Sequence, residues 1–324
     1  LNQSQLDALT VASINLATGD SITFSDTEGT LEGISAANLS AYITQGVDTF
    51  HATNGTLNMT AAQVAAVAAT SAIFLSGDTV TLSDSGANIA SLTSAQFGQL
   101  ASHGVDKIDA SDDTLAITAA QYAALGAVTL TTGDTVTLAD TGAHIAALTA
   151  TQIGALGSTG VDILDASDDT LTLSVAQYEA LGSVSLTAGD TVTLKDTGAH
   201  IAAHNFASLG GIDVLDATDN QLALTVSQYN TLVTDSILLT NGDNVTLVDT
   251  GANLAALDAT AIGNLVNIDA VDASDNAVTF DISQLDAWTN ASITLAAGDT
   301  ITLGDSEANI EGLTGAQLAG YVAQ

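Results

Sequence analysis

The sequence has no cysteine, no proline and no arginine, and Lys107 and Lys195 are its only lysines. Without cysteine there are no disulfides and no thiolate metal sites. Two basic residues against 37 acidic ones leave a formal net charge of −35. That balance lacks the basic footprint that nucleic acid or an anionic membrane surface requires. No apolar run approaches the ~18 residues that cross a bilayer, so no membrane insertion is expected. Aromatic residues are only 4% of the chain, so the core must be built from small aliphatics. What is plentiful is apolar side chain: 46% hydrophobic against 12% charged, a composition that packs rather than solvates itself. The opening Leu1-Asn2-Gln3 carries no initiator Met and no signal-peptide pattern, and reads as a start within a longer array.

Internal repetition overrides the prior that about 324 residues make two ordinary domains. A Gly-Asp pair recurs with Asp20, Asp78, Asp134, Asp190, Asp243 and Asp299, and subtracting neighbours gives spacings of 58, 56, 56, 53 and 56 residues. Between the pairs stand Asp109-Ala-Ser-Asp112, Asp165-Ala-Ser-Asp168, Asp216-Ala-Thr-Asp219 and Asp272-Ala-Ser-Asp275, with His51-Ala-Thr-Asn54 as the first, divergent copy. Nearly six units of about 56 residues follow, each made of two related halves. In both halves an alternating strand such as Thr135-Val-Thr-Leu138 leads through a short helix to a second strand and an Asp-ended turn. Period-two alternation puts Val136 and Leu138 inward and Thr135 and Thr137 outward.

The helices start at capping boxes, in which the first side chain accepts from the N–H three residues on and a Gln reaches back. They are expected at Thr60/Gln63, Thr118/Gln121, Ser174/Gln177, Thr225/Gln228, Thr93/Gln96, Thr149/Gln152 and Thr314/Gln317, with Asn2/Gln5 and Asp281/Gln284 as variants. Helices of two or three turns are marginal alone. They need the strands and the neighbouring unit, so the expected fold is an α/β repeat solenoid of short parallel strands and short helices, one continuous array over residues 1–324.

Two likenesses follow from these residues. The stretch Val214-Leu-Asp-Ala-Thr-Asp-Asn220-Gln-Leu222 resembles the strand signature of leucine-rich repeats, although Ala217 stands where that family carries a larger aliphatic. The alternation of two half-lengths is foreign to that family, which leaves a related architecture. The whole chain resembles the Ala/Thr/Asp-rich repeat regions of giant bacterial exoproteins exported by type I secretion. Stretches like Asp140-Thr-Gly-Ala-His-Ile-Ala-Ala-Leu148 followed by Thr149-x-x-Gln152 recur in such regions. That resemblance implies export, a repetitive surface or matrix role and, often, calcium. The Gly-Gly-x-Gly-x-Asp nonapeptide of calcium rolls is absent, so that particular geometry does not carry over.

The aspartates are the most chemical feature. Stacking would bring Asp20, Asp78, Asp134, Asp190, Asp243 and Asp299 into one row and Asp112, Asp168, Asp219 and Asp275 into another. Each could cap its own turn. Alternatively, with Asp109, Asp165, Asp216 and Asp272, they could supply oxygens to Ca²⁺. The charge of −35 favours some cation. Outward Thr-x-Thr pairs such as Thr135/Thr137 resemble the arrays of ice-binding solenoids, but exposed strand threonine is ordinary. His144 and His200 alternate with Asn88, Asn253 and Asn309 at equivalent positions, which suits hydrogen bonding better than ligation; His51, His103 and His204 form no ligand or triad spacing. No catalytic residues are expected, because a catalytic pair should be singular and these carboxylates recur in every unit. The expected function is a non-enzymatic extracellular structural protein: a surface layer, matrix fibre or adhesin stalk. It would associate with itself end to end or laterally, and with cell-surface or matrix components. A carbohydrate-active solenoid enzyme is the alternative, and an ice-binding protein a more distant one.

Overall fold

Period-two alternation builds strands of two to six residues, and the capping boxes start helices of six to ten. Such is the α/β chain in the computed structural model, which describes every residue except Asn15, Thr18, Ala323 and Gln324. All nine expected capping boxes form, seven with both reciprocal bonds within the helix start and the other two at Ser174 and Thr314. Each removes two unsatisfied N–H groups from a helix too short to stand alone.

The chain divides into two compact units, Leu1–Asp169 with Ala180–Asp190, and Thr170–Glu179 with Thr191–Gln324. In the first unit the strands form three parallel sheets. One joins Thr23–Asp26, Thr49–Ala52 and Ile73–Phe74. The next runs Thr56–Met59, Thr79–Asp84, Lys107–Ala110, Thr129–Leu130. The third runs Thr114–Ile117, Thr135–Asp140, Ile163–Ala166, Ser185–Leu186. Inward positions are as the alternation predicts: Val136 and Leu138 are buried, Thr135 is exposed and Thr137 is half-buried. Phe24, Phe50 and Phe74 stack in register with ring centroids 5.9 and 6.1 Å apart. Small aliphatics fill most of the remaining interior.

The second unit repeats the pattern. One four-stranded sheet is ordered Thr170–Leu173, Thr191–Asp196, Val214–Ala217, Leu238–Leu239. Another is ordered Gln221–Leu224, Asn244–Asp249, Ala270–Ala273, Thr294–Leu295. Ala277–Phe280 pairs with Thr300–Leu303 in a final two-stranded sheet. Trp288 is fully buried beside Phe280, with ring centroids 5.8 Å apart.

The six-residue strands explain how neighbouring strands are spaced along the chain. Thr79–Leu82 pairs on one edge with Thr56–Met59, and Thr81–Asp84 pairs on the other with Lys107–Ala110. Register partners are therefore 23 residues apart on one side (79 − 56) and 26 on the other (107 − 81). A parallel ladder this short runs out of backbone partners at both ends, and those ends are where the aspartates sit.

Candidate functional site

Ile73–Phe74 pairs with Thr49–Phe50 and then turns away, leaving the Ala52 N–H without a carbonyl opposite. Asp78 Oδ2 accepts that N–H at 2.9 Å. The same bond joins Asp134 to Ala110 (2.8 Å), Asp190 to Ala166 (2.8 Å), Asp243 to Ala217 (2.9 Å) and Asp299 to Ala273 (2.8 Å). Asp20, first of the row, is exposed. These carboxylates do not cap their own turns. The turn is already closed by the aspartate N–H, as from Asp78 to the Leu75 carbonyl, so the side chain is free to replace the missing ladder partner.

The second expected row meets helix N-termini. Asp112, Asp168, Asp219 and Asp275 accept from the first helical N–H of Gly86, Gly142, Gly198 and Gly251 at 2.8, 2.7, 2.9 and 2.8 Å. Glycine is required there by close approach: a Cβ on Gly86, Gly198 or Gly251 would lie 1.8, 1.6 or 1.8 Å from the carbonyl oxygen of Thr114, Gln221 or Ala277. The first members of the Asp-x-x-Asp pairs are less uniform. Asp109 accepts from Ser83 Oγ at 3.1 Å, Asp216 pairs with Lys195, and Asp165 and Asp272 are half-buried. In the divergent first copy His51 Nδ1 lies 3.0 Å from Asp78, while Asn54 Nδ2 donates to Glu28 Oε2 at 2.7 Å.

Two further rows were missed from the sequence. Asp48, Asp106, Asp162, Asp213 and Asp269 accept from the N–H of Ile22, Val80, Val136, Val192 and Val245 at 2.7–3.0 Å. Their signal is the preceding pair, Gly-Val in the first three, Gly-Ile before Asp213 and Asn-Ile before Asp269, whose Gly or Asn takes a positive φ. Asp26, Asp84, Asp140, Asp196, Asp249 and Asp305 accept from the first N–H of the preceding capping-box helix at 3.0–3.2 Å. Their signal is a position just before a Ser or Thr N-cap. Across the four rows, twenty aspartates bind a backbone N–H 21–26 residues earlier. More than half of the 37 acidic residues are thus committed to a backbone N–H of an earlier segment. Buried Gln63, Gln121 and Gln284 add the complementary bond, each donating to two carbonyls at the end of an earlier helix.

The rows separate electrostatically. Burial pushes Asp134 above the ordinary value of 3.8, and Asp109, Asp113 and Asp112 push it the same way against the Ala110 N–H bond. Asp190 is raised likewise by burial and by Asp165, Asp169 and Asp168. Asp243 is raised by burial, with Asp216 and Asp219 adding repulsion that Lys195 offsets in part. At Asp140 and Asp196 burial also raises, but bonds from His144 or His200 and from two backbone N–H groups outweigh it and hold the carboxyl below 3.8. Asn88 and Asn253 do the same for Asp84 and Asp249. His144 and His200 therefore make the bond that asparagine makes elsewhere, at 2.7 Å to the aspartate four residues back.

Grooves recur as the rows do. Ala61, Asp84, Asn88 and Leu92 line one of about 350 Å³, and Val226, Asp249, Asn253 and Leu257 line its counterpart of about 630 Å³. Among the described residues no three His, Asp or Glu side chains converge as a metal-holding group, and no helix is long and apolar enough to cross a membrane. No protein family, no curated protein and no solved structure matches the chain.

Proposed function

We propose that each unit is a solenoid of stacked coils and that the protein is a non-enzymatic extracellular structural repeat protein, a surface layer, matrix fibre or adhesin stalk. The observation that carries this reading is the recurrence of one interaction, a carboxylate on a backbone N–H 21–26 residues earlier, in every unit from Asp26 to Asp305. Side chains of the type that do acid–base chemistry are used here as joints, and the same groove is built several times over. A singular site, which catalysis needs, is not what such repetition produces. Stacked coils complete one another's cores and so favour self-association through their ends or sides. The resemblance to type I-secreted exoproteins supports an extracellular location and cell-surface or matrix partners.

Calcium is a second reading, favoured by the like charges gathered around Asp134, Asp190 and Asp243. One oxygen of each is held by a backbone N–H, which leaves a single free oxygen for a cation. That donor set fits a loosely held, partly hydrated ion that screens repulsion better than a closed cage of six to eight oxygens. A glycan-active enzyme is the remaining alternative. Electron microscopy with sedimentation of the purified chain tests the structural reading. Ordered self-association without turnover of polysaccharides is the expected result, and dispersed monomers that degrade a glycan would overturn it. Thermal melts with and without EDTA test calcium separately, a rise in melting temperature with calcium being expected.

A further inference from the structure

Residues 1–45 and 280–324 align without a gap at a shift of 279, and 23 of the 45 positions are identical; the same 45 residues match the next unit, at a shift of 58, at only 9. The structure repeats the correspondence: Tyr42 donates to Asp7 and Tyr321 to Asp286, each at 2.6 Å. Glu28 and Glu32 correspond to Glu307 and Glu311, whereas the four intervening copies carry Gly and Ala at these places.

The two copies differ in what covers them. Over the first lies the segment 46–60: Thr49–Ala52 pairs with Thr23–Asp26, Asp48 Oδ2 accepts the Ile22 N–H at 3.0 Å, Asn54 Nδ2 donates to Glu28, the Asn58 N–H donates to Glu32 at 2.7 Å and Asn58 Nδ2 donates to Glu28 Oε1 at 3.4 Å. Over the second, among the described residues, lies nothing: Thr300–Leu303 has one free edge, and Glu307 and Glu311 are exposed. The apolar positions respond in step, Leu31 and Leu39 being 1% and 0% exposed while Ile310 and Leu318 are 40% and 46% exposed.

We infer that the layer formed by Thr300–Leu303 and Glu307–Glu311 is a docking surface for an incoming parallel strand and turn of the pattern Asp-x5-Asn-x3-Asn, the chemistry of Asp48, Asn54 and Asn58. Main-chain pairing along a free edge supplies the attachment, as in strand addition generally. The glutamates supply selection. A segment with aspartate in the Asn54 place, as in Asp109-Ala-Ser-Asp112, presents a carboxylate to Glu307 and is rejected, whereas asparagine brings an N–H donor. The inference rests on the coil-stacking reading.

The test appends a copy of residues 46–60 directly after Gln324, where the alignment places it in register, and follows amide exchange in the full chain. Slowing of at least tenfold is expected with the native segment at Ile301 and Leu303, whose amides face the free edge, the Thr300 and Gly304 amides donating to the other side. It is expected to weaken severalfold when the appended copy carries Asn54→Asp, and in E307A/E311A chains the two segments are expected to protect alike. With both glutamates in place, equal protection by the native and Asn54→Asp segments, or none by either, overturns the docking surface. If the interior amides of Val80 and Val136 also exchange freely, it is the stacking reading that has failed. The free synthetic peptide 46–60, added in trans, is expected to slow the same two amides, and faster exchange there would count against the inference.

Discussion

The joint at Gly86 and the joint at Glu28 solve one problem with opposite polarity. At Gly86 the helix offers its first N–H and the later coil brings the Asp112 carboxylate. At Glu28 the helix residue brings the carboxylate and the later coil offers the Asn54 amide. The first arrangement needs glycine, because the following strand passes where a Cβ would be. The second tolerates a side chain and uses it. The lesson is that the residues at a joint are set in pairs, Gly with Asp or Glu with Asn, and that mixing the pairs should cost more than either exchange in isolation suggests.

The largest effect is expected from forcing a side chain into the interior joint. Gly86→Ala or Gly251→Ala places a methyl inside backbone contact distance and is expected to lower stability by about 3 kcal/mol, the upper end for overpacking, whereas Gly29→Ala, with open space around it, should be neutral or stabilising by up to about 1 kcal/mol. Urea denaturation of the three variants checks this. Next comes the mixed pair. Asn54→Asp alone sets two carboxylates against each other at an exposed joint, for a loss of about 1 kcal/mol, and adding Glu28→Gly should recover most of it. A double-mutant cycle with no coupling would mean that the two joints are not alternatives.

Acidity distinguishes the rows. Asp134, Asp190 and Asp243 lie above 3.8 in the folded chain, so the stability they carry is complete below 3.8 and is lost as pH rises through their raised values. Asp84, Asp140, Asp196 and Asp249 lie below 3.8, so theirs is present above 3.8 and is lost as pH falls through their lowered values. The melting temperature should therefore climb on acidification from about pH 7 towards the region just above 3.8, then drop. A curve that falls monotonically would assign no role to repulsion around Asp134. The smallest effect is expected from His144→Asn, which only imports the bond that Asn88 and Asn253 already make: a change within about 0.5 kcal/mol at neutral pH.

Local grammar was readable from the sequence because its partners are three residues apart. The boxes at Thr60, Thr118 and Thr225 and the inward Val136 and Leu138 depend on nothing beyond their own segment. The aspartate joints were only half readable. Repetition exposed Asp112 and Asp134, yet their partners Gly86 and Ala110 lie 26 and 24 residues earlier, and choosing them requires the sheet register. Asp106 and Asp84 were overlooked although their neighbours, Gly104-Val105 and Ser85, recur as regularly as the Gly-Asp pair. The 279-residue correspondence is hidden in sequence by the shorter period that fills it. It stands out once Tyr42–Asp7 and Tyr321–Asp286 are seen to be the same contact.

In all twenty joints the donor belongs to the earlier coil and the carboxylate to the later one. On the proposed stacking, a coil joined in this way has two unlike faces, amides towards the later coil and acids towards the earlier one, and the glutamates at Glu28 and Glu307 reverse that polarity locally. Two such faces fit only when unlike meets like a plug in a socket. A symmetric dimer would need the same face twice, bringing acid to acid or orphaned amide to orphaned amide. The self-association proposed above would, through such surfaces, be directional and of the heterologous kind, in which nothing in the contact itself dictates where growth stops.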